Sequence, residues 1–163
     1  EKLDNTAWAW LCLFVFSKLP ELGDTFFIVA RKSKLPFLHW YHHMTVFIYS
    51  FYICAYPHSG MLWYAGMNFA VHALMYTYYT LKALKIHVPR QCAIFITVCQ
   101  LTQMLVGVVL TIVSYVLITY GYACDTTKTD LYFSMGIYGS YMVLFANFFY
   151  QSYLKPNPKA KAS

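Results

Sequence analysis

The run QCAIFITVCQLTQMLVGVVLTIVSYVLITY, residues 91–120, decides the fold class. It is uncharged from end to end. It also exceeds the roughly 20 apolar residues that a bilayer-spanning helix needs. Four further apolar stretches, at 6–30, 37–56, 61–81 and 131–154, are each long enough to cross as well. Backbone groups in hydrocarbon must be satisfied within the segment, so helices are the expected form. Strands of a transmembrane barrel would alternate over about ten residues, and these runs do not. The breaks hold turn formers: Pro36, the segment 56–60, Pro89 and the segment 124–127. The sequence therefore predicts an all-α membrane protein with five transmembrane helices, the 91–120 helix tilted or running past the lipid. Pro20 predicts a kink in the first helix.

Composition agrees. The 163 residues are 60% hydrophobic, 20% aromatic and only 11% charged. A soluble domain carries about 25% charged residues, so neither a soluble nor a disordered chain fits. No cleavable signal pattern, repeat or linker is visible. Residues 1–154 read as a single transmembrane domain cut from a longer protein, followed by a basic tail at 155–163.

Charge orients the domain. Arg31, Lys32, Lys34, Lys82, Lys85, Arg90, Lys155, Lys159 and Lys161 all fall on one side when the helices alternate. The other side holds Glu1, Lys2, Asp4, Asp125, Lys128 and Asp130. An excess of Lys and Arg marks the cytosolic side, so the C-terminus is expected there. Lys159 and Lys161 resemble the dilysine retrieval signal of endoplasmic-reticulum membrane proteins. The rim charges Arg31 and Lys32 are candidates to hold the phosphates of an anionic amphiphile; topology and anionic lipid also explain such charges. Confinement of charge to short flanking loops makes nucleic acid a poor fit as a partner. Cys124, in a luminal loop, is a disulfide candidate without an evident partner.

Ionisable residues inside a span are costly and mark functional sites. Lys18, Glu21, Asp24 and Thr25 share one face of the first helix, at spacings of three and four. His39, His42 and His43 do the same on the second, and Asn68, His72, Tyr76 and Tyr79 on the third. Thr97, Gln100 and Gln103 repeat every three residues on the fourth. At 1.5 Å per residue these groups lie roughly 8–18 Å from the cytosolic ends. They predict a polar pocket between helices, opening to the basic rim, although Thr and Gln also hydrogen-bond packed helices without doing chemistry.

Two chemistries suit the histidines. Metal ligation resembles the histidine boxes of membrane di-iron desaturases and hydroxylases. Those use about eight histidines and this chain has six, with His58 and His87 in loops. Nucleophilic catalysis needs one imidazole to attack a thioester and a second to move protons. A non-enzymatic lipid transporter is the remaining alternative.

Four motifs stand in order: Lys18-Leu-Pro-Glu21-Leu-Gly-Asp24-Thr25, His39-Trp-Tyr-His42-His43, His72-Ala-Leu-Met75-Tyr76-Thr-Tyr78-Tyr79, and Thr97-Val-Cys-Gln100-Leu-Thr-Gln103. The set resembles the ELO family of fatty-acid elongases, with patterns KxxELxDT, HxxHH, HxxMYxYY and TxxQxxQ. Met67-Asn68 and His-Trp-Tyr-His-His resemble the branch acting on saturated and monounsaturated long-chain acyl-CoAs. The resemblance implies an endoplasmic-reticulum 3-ketoacyl-CoA synthase joining acyl-CoA to malonyl-CoA, with release of carbon dioxide and CoA. It implies a seven-helix fold whose last six helices form a barrel around an acyl tunnel. It also implies no metal or other cofactor, and the other elongation-cycle enzymes as partners. His42 would carry the acyl group and His72 would assist, with His39 and His43 beside them. Lys18, Glu21, Asp24, Asn68, Tyr76, Tyr79, Gln100 and Gln103 would bind or polarise substrate. Residues near Tyr52–Tyr56, Trp63 and Tyr115–Tyr120 are expected to close the tunnel's luminal end.

Overall fold

The computed structural model describes residues 4–55, 60–124 and 126–155. Glu1, Lys2, Tyr56, His58, Asp125, Lys159 and Lys161 lie outside the described residues, so nothing about the dilysine pattern is visible. Five helices follow one another: α1 Asn5–Ala30, α2 Phe37–Ala55, α3 Met61–Ala83, α4 Arg90–Thr119 and α5 Lys128–Phe149. A π-helical turn, Tyr150–Leu154, extends the last. There is no strand among the described residues.

Local chemistry sets the ends. Asp4 caps α1, its Oδ1 accepting from the Thr6 N–H at 3.4 Å. Thr127 and Asp130 form a reciprocal capping box: Thr127 Oγ1 accepts from the Asp130 N–H, and Asp130 Oδ2 accepts from the Thr127 N–H. That box starts α5 three residues before the apolar run. The α1 helix continues through Pro20. At its C-terminus the Ser33 N–H reaches back to the Ile28 carbonyl. Ile86 to Leu81 repeats this after α3, and Tyr122 to Leu117 after α4. Each such end needs one left-handed residue. Gly121 supplies it after α4 (φ 83°), but Lys32 and Lys85 supply it after α1 and α3, at φ 53° and 60°. A side chain in that conformation costs about 1–2 kcal/mol.

The helices close into a ring in the order α1–α2–α5–α4–α3 and back to α1. Contacts are dense along α1–α2 and α3–α4–α5. They are sparser at the two seams, α1–α3 and α2–α5. Hydrogen bonds cross those seams: Tyr41 to Ser140, Thr45 to Tyr141 and Tyr49 to Ser134 from α2 to α5, and Lys18 to Asn68 and Tyr76 to Asp24 between α1 and α3.

Large apolar side chains cover the outside. Trp10, Phe26 and Trp63 are 60%, 69% and 70% exposed. Such a surface suits hydrocarbon better than water. By length and composition, one helix among the described residues, Arg90–Thr119, is apolar enough to cross a membrane. The other four carry the inward-facing charged, His, Asn and Tyr groups, which lower their hydropathy. The expected five spans thus match five helices in position, but among the described residues only α4 meets that test of length and composition.

The ring's closest approach is between α4 and α5. The Tyr138 ring fills the space that a side chain at Gly107 would need. Small residues at helix interfaces allow such contact. Gly107→Ala is therefore expected to lower stability by about 1–3 kcal/mol, the usual range for overpacking. Thermal unfolding in detergent measures this; an unchanged midpoint would contradict the packing described.

Candidate functional site

Two cavities occupy the ring's interior. The first, about 220 Å³, is lined by His39, His42, His43, Asn68, His72, Gln100 and Gln103 among others. Pro36 and Tyr79 also line it, so it lies toward the end where the 31–36 and 84–89 loops sit. The second is narrow, about 40 Å³, and draws on all five helices, from Phe14 of α1 to Tyr138 and Tyr141 of α5. Its lining is mainly apolar. His42, Asn68, Gln103 and Met104 line both cavities. They stand where the polar space meets the apolar one.

Helical spacing explains why these groups converge. His39 and His43 are one turn apart on α2, with ring centroids 4.3 Å apart. His42 points further inward and is only 6% exposed. Its ring lies nearly parallel to that of His72, with centroids 6.4 Å apart. Tyr141 at 4.7 Å and Phe145 at 5.7 Å hold the other sides of the His42 ring. Tyr141 is itself fixed by a 2.6 Å hydrogen bond with Thr45.

Behind the histidines lies a buried ionic group from α1. Lys18 Nζ donates to Glu21 Oε1 and to Asn68 Oδ1, each at 2.6 Å. Glu21 Oε1 is 3.4 Å from His72 Nδ1, and Oε2 is 3.9 Å from His43 Nδ1. Nearer the mouth, Tyr76 donates to Asp24 Oδ2 at 2.7 Å. Glu21 Oε2, Thr25 Oγ1, His39 Nε2, His43 Nδ1 and His72 Nδ1 are buried without a hydrogen-bond partner among the described residues. Such a concentration of unpaired polar atoms is unusual for an ordinary helix interface.

The structure thus brings together His39, His42, His43, His72, Asn68, Tyr79, Gln100 and Gln103. Lys18 and Glu21 line neither cavity; they brace its wall. Asp24 and Tyr76 are paired with each other and also line neither. Thr97 turns to the Ala93 carbonyl, at 2.9 Å. Arg31 and Lys32 are exposed in the turn after α1 and line no cavity. Lys32 serves there as the left-handed residue that ends the helix. His87 is exposed in a loop.

The residues that close the narrow cavity differ from those expected. Tyr52 and Tyr115 are both partly exposed, and Trp63 and Tyr120 point outward. Closure falls instead to Tyr49, bonded to Ser134 at 2.6 Å, to Tyr64, bonded to Thr111 at 3.2 Å, and to Tyr138. Beyond them lies another cavity of about 270 Å³, which shares Tyr64 with the narrow one and is also lined by Trp63 and Ser134. Tyr141 and Phe145 were also not legible as site residues. Their one signal is spacing: Tyr138, Tyr141 and Phe145 fall on one face of α5.

All five cysteines are free, Cys124 included. Among the described residues no group of three or more His, Cys, Asp and Glu side chains is arranged to hold a metal ion.

Comparison with known proteins places this site in a family context. The family model described as "ELO: GNS1/SUR4 family" matches residues 2–161. The chain is 46% identical over 155 residues to "Very long chain fatty acid elongase 6" of Drosophila melanogaster, covering 94% of the chain and 49% of that protein. It is 46% identical over 164 residues to "Very long chain fatty acid elongase 3" of Homo sapiens, covering 98% and 59%. The chain spans about half the length of the curated relatives it matches. No solved structure gives a significant match.

Proposed function

The chain belongs to the ELO (GNS1/SUR4) family, and from that premise we propose that it forms the condensing site of a fatty-acid elongase, a 3-ketoacyl-CoA synthase. In this reading the five-helix ring is part of a seven-helix fold with a six-helix barrel. It sits in the endoplasmic-reticulum membrane with its C-terminus in the cytosol.

One observation carries the reading: His42 stands at the junction of a polar cavity and an apolar one. A thioester at that junction would place its acyl chain among Phe14, Val46 and Ile53. Its CoA would extend past Tyr79 toward the basic loops. The narrow cavity is too small for a long chain as it stands, so the side chains around it must part on binding.

The chemistry then runs in two balanced steps. His42 attacks the thioester carbon; the carbon–sulfur bond breaks, CoA leaves as a thiol, and the proton it takes comes from the imidazole. Malonyl-CoA next loses carbon dioxide. The carbanion formed attacks the acyl carbon, the carbon–nitrogen bond breaks, and a proton taken up from solvent restores His42. The products are 3-ketoacyl-CoA, carbon dioxide and CoA. Asn68, Gln100 and Gln103 supply hydrogen-bond donors where carbonyl oxygens gain charge. No metal or cofactor enters these steps. The other elongation-cycle enzymes would reduce and dehydrate the product.

Membranes holding the whole protein, given long-chain acyl-CoA and labelled malonyl-CoA, should yield a labelled product two carbons longer. No incorporation by folded protein, across several chain lengths, would refute the reading. Chain length gives a second test. Tyr64→Ala joins the narrow cavity to the space beyond and should shift products at least one two-carbon cycle longer. An active variant with an unchanged product profile would exclude Tyr64 as part of the stop.

A further inference from the structure

Neither Lys18 nor Glu21 reaches the cavities, yet both are buried, at 2% and 6% exposure. Burying two charges in an apolar ring is costly unless they are paired and hydrogen-bonded. Their partners show what the arrangement achieves. Lys18 and Glu21 are one turn apart on α1; Asn68 and His72 are one turn apart on α3. The two pairs face each other across a seam.

Donor and acceptor chemistry fixes the sense of each contact. An ammonium only donates, so the Asn68 amide must turn its oxygen to Lys18, as it does at 2.6 Å. The amide nitrogen is then directed away from Lys18, and Asn68 lines both cavities. Glu21 Oε1 lies 3.4 Å from His72 Nδ1 without the alignment of a hydrogen bond, and its negative charge at that distance favours the proton on Nδ1 over Nε2. Nε2 is then left with its lone pair, on a ring that lies parallel to His42. The second Glu21 oxygen is 3.9 Å from His43 Nδ1, too far for a hydrogen bond.

We infer that the Lys18–Glu21 pair is a positioning device: it fixes the amide sense of Asn68 and the tautomer of His72, so that beside His42 the cavity wall offers one donor and one acceptor. This rests on the reading of the cavity as a condensing site. The donor, Asn68 Nδ2–H, meets the thioester oxygen. The acceptor, His72 Nε2, takes the proton that leaves His42 on acylation and returns it to the departing CoA sulfur. Lys18 compensates the Glu21 charge and touches no substrate.

The direct test is nitrogen-15 solid-state NMR of the whole protein in bilayers, labelled at histidine. His72 is identified by the signal lost in His72→Gln. The expected result is protonated Nδ1 and unprotonated Nε2. Removing the pair together, in Lys18→Met/Glu21→Leu, should mix the two tautomers and lower kcat about 10²–10⁴-fold, with little change in KM. Asn68→Asp keeps an acceptor for Lys18 but removes the donor, and should lower kcat about 10²–10³-fold. A wild-type His72 protonated at Nε2 overturns the inference, and so does a folded double variant with unaltered kcat. The NMR result does not depend on activity. A protein that shows the expected tautomer but never condenses malonyl-CoA therefore refutes the condensing reading alone.

Discussion

His42→Ala should abolish incorporation of labelled malonyl-CoA, with a fall of at least about 10³-fold. That is the scale on which enzymes lose a covalent nucleophile. The substitution removes the imidazole at the junction of the two cavities and leaves the rest of the polar wall in place. His72, whose ring centroid is 6.4 Å away, cannot substitute for it without moving across the cavity. His39→Ala, at the mouth, should cost far less, since that ring stacks on His43 and not on His42. Initial rates, run with and without a chelator, measure the effect. Incorporation that survives in His42→Ala would exclude the acyl-imidazole route. Incorporation lost on chelation would return attention to metal chemistry.

Lys18→Met should be the most destabilising single change in the ring. It strands Glu21, which is buried against His43 and His72, and takes from Asn68 its hydrogen-bond donor. Removing one member of a buried ion pair costs about 3–5 kcal/mol, whereas replacing both by apolar residues is often nearly neutral. Lys18→Met/Glu21→Leu should therefore recover most of the loss in unfolding midpoint, even with the expected fall in kcat. A single variant as stable as wild type, or a double variant less stable than the single, would contradict the pairing.

Much of this was legible in the sequence, for identifiable reasons. Uninterrupted apolar runs locate helices because a helix satisfies its own backbone wherever it lies. Histidines at 39, 42 and 43 declare a face because 3.6 residues make a turn. The beginning of α5 was less legible, since the Thr127–Asp130 box lies in a polar stretch that reads as loop. The role of Lys32 was hidden for a different reason. Charge suggests a phosphate contact, but the backbone there needs a left-handed residue and the side chain points into solvent. Apolar site residues were the hardest to find. Tyr49, Tyr64, Tyr138 and Tyr141 look like any of the chain's 16 tyrosines until neighbouring helices decide which of them point inward.

The Lys18–Glu21 pair has a consequence for how the chain is made. During synthesis α1 emerges before α3, so Lys18 and Glu21 meet the insertion machinery before Asn68 and His72 exist. A lone charge at the centre of an inserting helix costs about 2.5–3.5 kcal/mol. Here the two charges are on one helix, one turn apart, and neutralise each other with no help from later segments. The nascent α1 can enter the bilayer carrying its own counter-ion, and the wall of the polar cavity forms only when α3 arrives and the seam is joined.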